Sequence, residues 1–200
     1  MQEPKRYVVR KTDLDTGIVV HETYYESKRR HREAAQGPAV VRRDGKTGHV
    51  VYEEYDRHGK MHRLDGPAVI LYDRKTGRVS YEEYRQEGEI HREGDGPAIV
   101  ETNPNTGLPV KECYYSDGEL NRANGPARLL DDRNGNLDHV SYWQYGQRHR
   151  DPKEGPAEID WEGPSRTVAR QTYWVNGMRV GEPVRRAVAR PGKLPTSTLE

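Results

Sequence analysis

Five short segments of the chain alternate apolar and polar side chains. In each segment, apolar residues stand two and four positions after the glycine of a Gly-Pro-Ala tripeptide. These pairs are Ala39 and Val41, Ala68 and Ile70, Ala98 and Val100, Ala127 and Leu129, and Ala157 and Ile159. A period of two predicts β-strands with one buried face.

A turn signal follows the first four of these segments and also stands ahead of the first one. An Asp or Asn stands four residues before a glycine at Asp13, Asp44, Asp73, Asn103 and Asp131. Such a side chain can bond the backbone two residues on, and glycine accepts a positive φ, so the pattern predicts a hairpin turn. The next segment, as in Val50 to Tyr55, is rich in β-branched and aromatic residues and predicts a second strand.

The strand pairs repeat along the chain. Gly-Pro-Ala recurs at spacings of 29, 30, 29 and 30 residues, and we align an aromatic series with it: Tyr25, Tyr55, Tyr84, Tyr115, Tyr145 and Trp174. The sequence therefore predicts an all-β fold, an elongated antiparallel β-hairpin repeat array of about five to six units of ~30 residues with two strands each. Its length would be about 60 Å at ~4.8 Å per strand.

We expect a single β-repeat domain over residues 1–190. It divides into a leading cap at 5–15, five repeats at 16–162 and a degenerate terminal cap at 163–190. A short helix and a strand remain alternatives for residues 182–190, and residues 191–200 are expected to form a flexible tail.

A polar link with a repeated His-Arg pair joins one unit to the next. The pairs are His31-Arg32, His62-Arg63, His91-Arg92 and His149-Arg150, with Asn121-Arg122 in the fourth unit. One interpretation is that each pair hydrogen-bonds backbone carbonyls of the neighbouring turn and holds adjacent units together. The other is that the pairs form an exposed ladder of cations and rings that contacts an acidic partner.

The unit from Tyr52 to Gly77 resembles the MORN-like repeats of bacterial and phage proteins, some of which are antitoxin or immunity partners of toxins. The resemblance rests on the aromatic-x-x-x-Gly, His-Arg and Asp-Gly-Pro-Ala motifs over roughly residues 14–160. It implies a hairpin array with a non-catalytic interaction role.

Composition narrows the function classes. Hydrophobic residues make up 32% of the chain, Phe is missing and the mean hydropathy is -1.11, so the thick core of a large enzyme is not expected. Net charge is only +1, and the basic excess lies after Gly163, where seven Arg or Lys face Glu182 and Glu200. One cysteine excludes an intrachain disulfide, and the missing apolar leader and apolar span favour a cytoplasmic location.

The sequence gives little evidence for a catalytic or metal-binding site. Equivalent histidines of adjacent units lie two strands apart, about 10 Å, which is too far for one metal ion. The pairs Glu53-Glu54 and Glu82-Glu83 point to opposite faces of a strand and are expected to be solvated. The Ca²⁺-like spacing from Asp132 to Asp138 lacks its glycine and glutamate. We therefore expect no enzyme, no cofactor and no metal site.

The leading functional prediction is a protein-binding module, of the kind that an antitoxin, immunity or anti-defence factor uses to occlude its partner. One varied, outward position per unit is expected at Thr23, Glu53, Glu82, Cys113, Trp143 and Thr172, with Trp143 as the main contact. The other candidate contacts are Arg32, Arg63, Arg92, Arg122, Arg150, His62 and His91. The alternative is binding of anionic lipid or nucleic acid through the arginine ladder and the basic residues 185–200. Self-association through the sheet edges is a further alternative.

Overall fold

The chain forms one long antiparallel sheet, seen in a computed structural model that describes residues 4–132, 135–163 and 167–182. The all-β hairpin array predicted from the sequence is confirmed. The long strands are β1 (Arg6–Thr12), β2 (Val19–Glu26), β4 (Val40–Arg43), β5 (Val50–Glu54), β8 (Val69–Tyr72), β9 (Val79–Glu83), β12 (Ile99–Thr102), β13 (Pro109–Cys113), β16 (Arg128–Asp131), β17 (Leu137–Ser141), β20 (Glu158–Glu162) and β21 (Thr167–Val175).

Ten short strands and a 3-10 turn at Ala34–Gln36 complete the part of the chain that the structure describes. They are β3 (Arg29–Arg30), β6 (Asp56–Arg57), β7 (Lys60–Met61), β10 (Arg85–Gln86), β11 (Glu89–Ile90), β14 (Tyr115–Ser116), β15 (Glu119–Leu120), β18 (Trp143–Gln144), β19 (Gln147–Arg148) and β22 (Met178–Val180).

The main sheet follows chain order through its long strands and ends at β22. It consists of six long hairpins, and the second strand of each hairpin pairs with the first strand of the next. At ~4.8 Å per strand, the row from β1 to β21 is about 50 Å wide.

The Asp-x-x-x-Gly signal makes the turn of the first four long hairpins as predicted, because the glycine N–H donates to the carbonyl of Asp13, Asp44, Asp73 or Asn103. In the fifth hairpin the bonded pair is Asp132 and Asn136 rather than the predicted Asp131 and Gly135. Asp44 Oδ1 accepts the backbone N–H groups of Lys46 and Thr47, and Gly48 adopts a φ of 75°. The strand register shifts by one residue beside this turn, between Arg42 and Arg43. Such a bulge lets the hairpin close while its strands keep their buried face.

The polar link between units is a second, smaller hairpin, which the sequence analysis did not predict. Two residues on each side pair, as in β6 with β7, around a tip at His58 and Gly59 with φ values of 51° and 87°. Two successive positive φ values are typical of a type I′ turn. The equivalent tips are Ser27-Lys28, Glu87-Gly88, Asp117-Gly118, Tyr145-Gly146 and Asn176-Gly177.

The small hairpins bond to one another along the array. The N–H of each tip glycine donates to a carbonyl of the preceding small hairpin, as Gly59 does to Arg30 and Gly88 to Met61. They therefore form a second layer that follows the main sheet and lies against part of one of its faces.

The alanine of each Gly-Pro-Ala is the most buried position of its unit. Ala39, Ala68, Ala98, Ala127 and Ala157 are all 0% exposed. The strand start is thus fully covered in every unit, so the tripeptide marks the core.

The terminal region contains β20, β21 and β22 within the described residues. The last part of the expected cap, residues 183–190, and the expected tail, residues 191–200, lie outside the described residues. No helix among the described residues is long and apolar enough to cross a membrane.

Candidate functional site

The aligned aromatic series needs correction in four of its six units. The structurally equivalent residues are Tyr24, Tyr55, Tyr84, Tyr114 and Tyr142, whose N–H groups donate to the alanine carbonyl of the next Gly-Pro-Ala. Tyr173 is the sixth, because Thr172 before it pairs with the preceding strand as Glu54 before Tyr55 does. The sequence alignment chose Tyr25, Tyr115, Tyr145 and Trp174 instead, and a slip of one residue moves a side chain to the opposite face.

The residue before each of these tyrosines belongs to a row that crosses the sheet beneath the small hairpins. We call it the buried row, and strand pairing gives its members: Val9, Thr23, Val40, Glu54, Val69, Glu83, Ile99, Cys113, Arg128, Ser141, Glu158 and Thr172. All of them except Val9 and Arg128 are buried. The expectation that Thr23, Cys113 and Thr172 face outward was therefore wrong. So was the expectation that Glu54 and Glu83 are solvated.

Each arginine of the His-Arg series contacts its own unit. Arg63 stacks over the Tyr55 ring at 4.1 Å, and its Nη1 donates to the carbonyl of Pro67 at 3.4 Å. Arg32, Arg92, Arg122 and Arg150 do the same with Tyr24, Tyr84, Tyr114 and Tyr142 and with the proline of their Gly-Pro-Ala. Each arginine of this ladder therefore links the end of a hairpin's second strand to the loop that precedes the first strand of the next hairpin. Its use as a partner contact stays a prediction.

The histidines join adjacent units. The Nδ1 atoms of His31, His62, His91 and His149 accept the backbone N–H of the next small hairpin's tip, at 3.1 to 3.2 Å. In the fourth unit the side-chain oxygen of Asn121 accepts the N–H of Tyr145. The ring nitrogen is thus an acceptor, and it contacts an amide rather than the carbonyl that the first interpretation expected.

Trp143 lies at the start of a small hairpin and is half-buried. Its Nε1 donates to Ser141 Oγ at 2.8 Å, and the Arg148 guanidinium lies 5.0 Å from its ring centre and 5.2 Å from that of Trp174. These contacts give Trp143 an internal role, and its role as the main partner contact stays a prediction.

A second row lies on the same face, two residues along each strand from the buried row and toward the long turns. We call it the crossing row: Lys11, His21, Arg42, Tyr52, Leu71, Tyr81, Glu101, Lys111, Leu130, His139, Asp160 and Arg170. Every member is half-buried or exposed. Side chains at these register positions are cross-strand neighbours, so the row is one continuous surface about 50 Å long.

The centre of the crossing row is apolar and aromatic. Tyr52, Leu71 and Tyr81 stand side by side on three adjacent strands, and Leu71 is 36% exposed. The two phenol hydroxyls donate to Glu54 and Glu83 of the buried row. Burial first, and then these hydrogen bonds, raise the pKa values of Tyr52 and Tyr81 well above the usual range. Both rings are therefore held in place and neutral.

Buried carboxyl groups meet at the second unit. Arg30 contacts Glu54 Oε1, while its Nε is 3.6 Å from Asp56 Oδ2. The Asp56 side chain is 0% exposed, and neither of its oxygens has a hydrogen-bond donor within the described residues. Burial, and then the adjacent Glu54 carboxyl, raise the pKa of Asp56 to about 7. The cluster can hold a proton near neutral pH.

Ser141, His139 and Asp160 are hydrogen-bonded in the order of a catalytic nucleophile, base and acid. His139 Nε2 is 3.2 Å from Ser141 Oγ, and His139 Nδ1 is 2.6 Å from Asp160 Oδ1. Burial opposes the charge of Asp160, but hydrogen bonds from His139 and Arg170 lower its pKa. Acyl transfer also requires access to the hydroxyl, and Ser141 is 1% exposed with its oxygen already bound to Trp143. The geometry therefore favours a hydrogen-bond network over catalysis.

Two groups of donor atoms lie close enough to consider for a metal ion. In the group of Glu26, His31 and His58, the two rings stack in nearly parallel planes 4.4 Å apart, so their in-plane lone pairs cannot meet at one ion. In the group of His139, Glu158 and Asp160, Arg170 contacts both carboxylates. Its positive charge therefore already lies where a metal ion would bind. Neither group fits a metal in this geometry.

Comparison with protein-family models, with curated proteins and with solved structures finds no match to this chain.

Proposed function

We propose that the chain is a non-catalytic protein-binding module whose partner docks on the crossing row. The supporting observation is the contrast between rows. On the opposite face, the row between these two rows is regular: it holds an aliphatic residue in the first strand of five hairpins, namely Val41, Ile70, Val100, Leu129 and Ile159, and a glutamate in four of the second strands, namely Glu22, Glu53, Glu82 and Glu112. The crossing row instead changes chemistry at nearly every strand.

A varied surface on a constant frame suits specific recognition. The crossing row offers a rigid aromatic centre, and Tyr and Arg are the residues that dominate binding energy at protein interfaces. Charged neighbours surround that centre, with Arg42 over the Tyr52 ring at 4.7 Å and Lys111 bonded to Glu101. Polar groups around an apolar centre are the usual arrangement of a docking surface. The MORN-like resemblance of the repeat suggests the same class of function, including an antitoxin or immunity role.

The alternative of a lipid or nucleic-acid partner depends on the arginine ladder and the basic tail. Arg63 and Arg122 side chains are only 20% and 18% exposed because they lie between a tyrosine ring and a loop. Their guanidinium groups are therefore poorly accessible to a phosphate. Residues 185–200 lie outside the described residues.

Capture of partners from the cells that produce the protein tests the proposal. Leu71→Asp places a charge at the centre of the crossing row, while Leu64→Asp makes the same change at a loop residue that is 69% exposed. We expect one stoichiometric protein with wild type and with Leu64→Asp, at low and high salt and after nuclease treatment. Leu71→Asp should lose it.

Equal capture by both variants would contradict docking on this row. Recovery of nucleic acid or lipid alone, lost at high salt, would favour the alternative.

A further inference from the structure

We infer that the partner docks through a segment that carries an acidic side chain and an apolar one, the acid on one end of the crossing row and the apolar group on Leu71. We call that end the basic end and define it by Lys11, His21 and Arg42 on β1, β2 and β4. The inference rests on the proposed function, because it names the chemistry of the segment that occupies the same surface.

The charged residues of the crossing row differ between its two halves. Beyond the aromatic centre each lysine and arginine contacts an acid of the same row, in the pairs Lys111–Glu101 and Arg170–Asp160. These charges therefore cancel. At the basic end Lys11 and Arg42 are exposed, and neither forms an ion pair with a described residue. The basic end thus presents two positive charges that no acid of the row balances.

Two aspartates of the long turns follow Lys11 and Arg42 along their strands, but their carboxylates are already engaged. Asp13 and Asp44 each accept backbone N–H groups of their own turn through Oδ1. Asp44 Oδ2 also contacts Arg74 at 3.3 Å. Neither carboxylate forms an ion pair with Lys11 or Arg42, so the basic end can accept an acid from another molecule.

The basic end lies beside an apolar group at a defined distance. The Arg42 guanidinium lies 4.7 Å from the centre of the Tyr52 ring, and Leu71 is the next residue of the row. At ~4.8 Å per strand, Arg42 and Leu71 are about 10 Å apart. Burial, and then the charges of Arg42 and Lys11, lower the pKa of His21, so its ring is mainly neutral at pH 7. The two cations therefore select an acid, and Leu71 selects an apolar neighbour about 10 Å away.

A second copy of the chain fits this surface less well. A two-fold axis along the row would set Arg42 against Arg42 and Lys11 against Lys11. A two-fold axis along the strands through Leu71 would set Arg42 against Glu101, but it would bring the small hairpins of both copies to the same side of the row. The two layers would overlap there.

A nucleic acid or a membrane surface also fits less well. The basic end covers only three strands, about 10 Å, and the next charged residue along the row is Glu101. A polyanion that continued along the row would meet Glu101 and then Asp160. Protein segments, in contrast, can place one acid beside one apolar side chain.

An NMR titration of the full chain with a synthetic peptide tests the inference. The blocked peptide has glutamate and leucine at its first and fourth positions and threonine between them, so the two side chains are about 10 Å apart when it is extended. We expect shift changes centred on Lys11, His21, Arg42 and Leu71. The pKa of His21 should rise in the complex, because a nearby carboxylate favours the charged ring. A peptide with glutamine in place of glutamate should bind about fivefold more weakly and leave that pKa unchanged.

Matched protein variants locate the acid. Lys11→Gln combined with Arg42→Gln should weaken binding of the glutamate peptide about fivefold. Lys111→Gln combined with Arg170→Gln removes the same residue types from the paired half of the row and should change binding by less than about twofold. Melting temperatures establish that each variant is folded.

The captured partner separates this inference from the proposed function. If Leu71→Asp loses the partner while the variant with Lys11→Gln and Arg42→Gln keeps it, the inference fails and the proposed function stands. Capture that survives Leu71→Asp contradicts the proposed function itself.

Four further results would overturn the inference. The first is no shift change at the basic end with millimolar peptide, and the second is equal binding of the glutamate and glutamine peptides. The third is a dimer of the protein that Leu71→Asp dissociates. The fourth is binding of a DNA oligonucleotide or of phosphatidylglycerol vesicles that the variant with Lys11→Gln and Arg42→Gln loses.

Discussion

The buried row and the crossing row lie two residues apart on the same strands and the same face, yet they have opposite surroundings. Small hairpins cover the first row, and Arg30, Arg85 and Arg148 of those hairpins contact its carboxylates Glu54, Glu83 and Glu158. The second row is open. Position relative to the small hairpin, and not residue type, decides whether a charged side chain on this face is buried or at least partly open to solvent.

Glu158 and Asp160 give the sharpest form of this comparison. Both are carboxylates of β20 that contact Arg170, but their side chains are 6% and 27% exposed. Glu158→Ala leaves Arg148 and the Thr172 hydroxyl without their acceptor and should lower the free energy of unfolding by about 3 kcal/mol. Asp160→Ala should lower it by about 1 kcal/mol. Urea unfolding of both variants measures the difference, and equal losses would contradict the distinction between the rows.

Asp56 predicts a pH dependence. Because the folded state raises its pKa from 3.8 to about 7, the folded state binds the proton more tightly, and this group's contribution to stability falls as pH rises between these values. Asp56→Asn should flatten that fall and raise the unfolding free energy at pH 8 by about 2 kcal/mol. Thermal unfolding from pH 4 to 8 tests it. A wild type whose stability rises through this range, with Asp56→Asn unchanged, would show that the group is ionised and well paired.

The arginine ladder should contribute to stability in each unit. Arg63→Ala removes the stacking on Tyr55 and the bond to Pro67, and should lower the unfolding free energy by about 1.5 kcal/mol. Arg63→Lys should not restore it, because an ammonium cannot reproduce the planar contact. If partner binding falls while the melting temperature stays constant, the ladder is a partner surface instead.

The histidine contacts should contribute less to stability than the arginine ladder, and the fourth unit, which has Asn121 instead of a histidine, supplies a control. His62→Ala leaves the N–H of Glu87 without its acceptor and should lower the unfolding free energy by about 1 kcal/mol. Since Asn121 accepts the equivalent N–H in the fourth unit, His62→Asn should restore most of the loss. Chemical denaturation compares the two, and equal losses would show that ring packing, not the acceptor, matters.

The long hairpins were predictable from the sequence, but the register of their second strands was not found. Gly-Pro-Ala and the Asp-x-x-x-Gly turn fix the first strands, whereas the aromatic series offers two adjacent rings at Tyr24-Tyr25 and Tyr114-Tyr115. A constant signal was present, because each ladder arginine stands eight residues after its tyrosine, as Arg63 does after Tyr55. That spacing gives the correct face in the five units that have a ladder arginine.

The small hairpins and the buried charges were harder to predict. Asp117-Gly118 and Asn176-Gly177 are recognisable type I′ tips, but Glu87 and Tyr145 are residue types that rarely adopt a positive φ. Without these hairpins nothing in the sequence indicates that Glu54 is covered while Tyr52, two residues away, is not. The crossing row was therefore visible only in the folded array.

Oxidative footprinting of the protein with and without its captured partner tests the central claim most directly. Docking on the crossing row predicts that oxidation of Leu71 and Tyr81 falls at least threefold in the complex, while Tyr145, which is 76% exposed on a small hairpin tip, and Leu64 are unchanged. Protection of Tyr145 or Leu64 with no change at Leu71 and Tyr81 would contradict the claim.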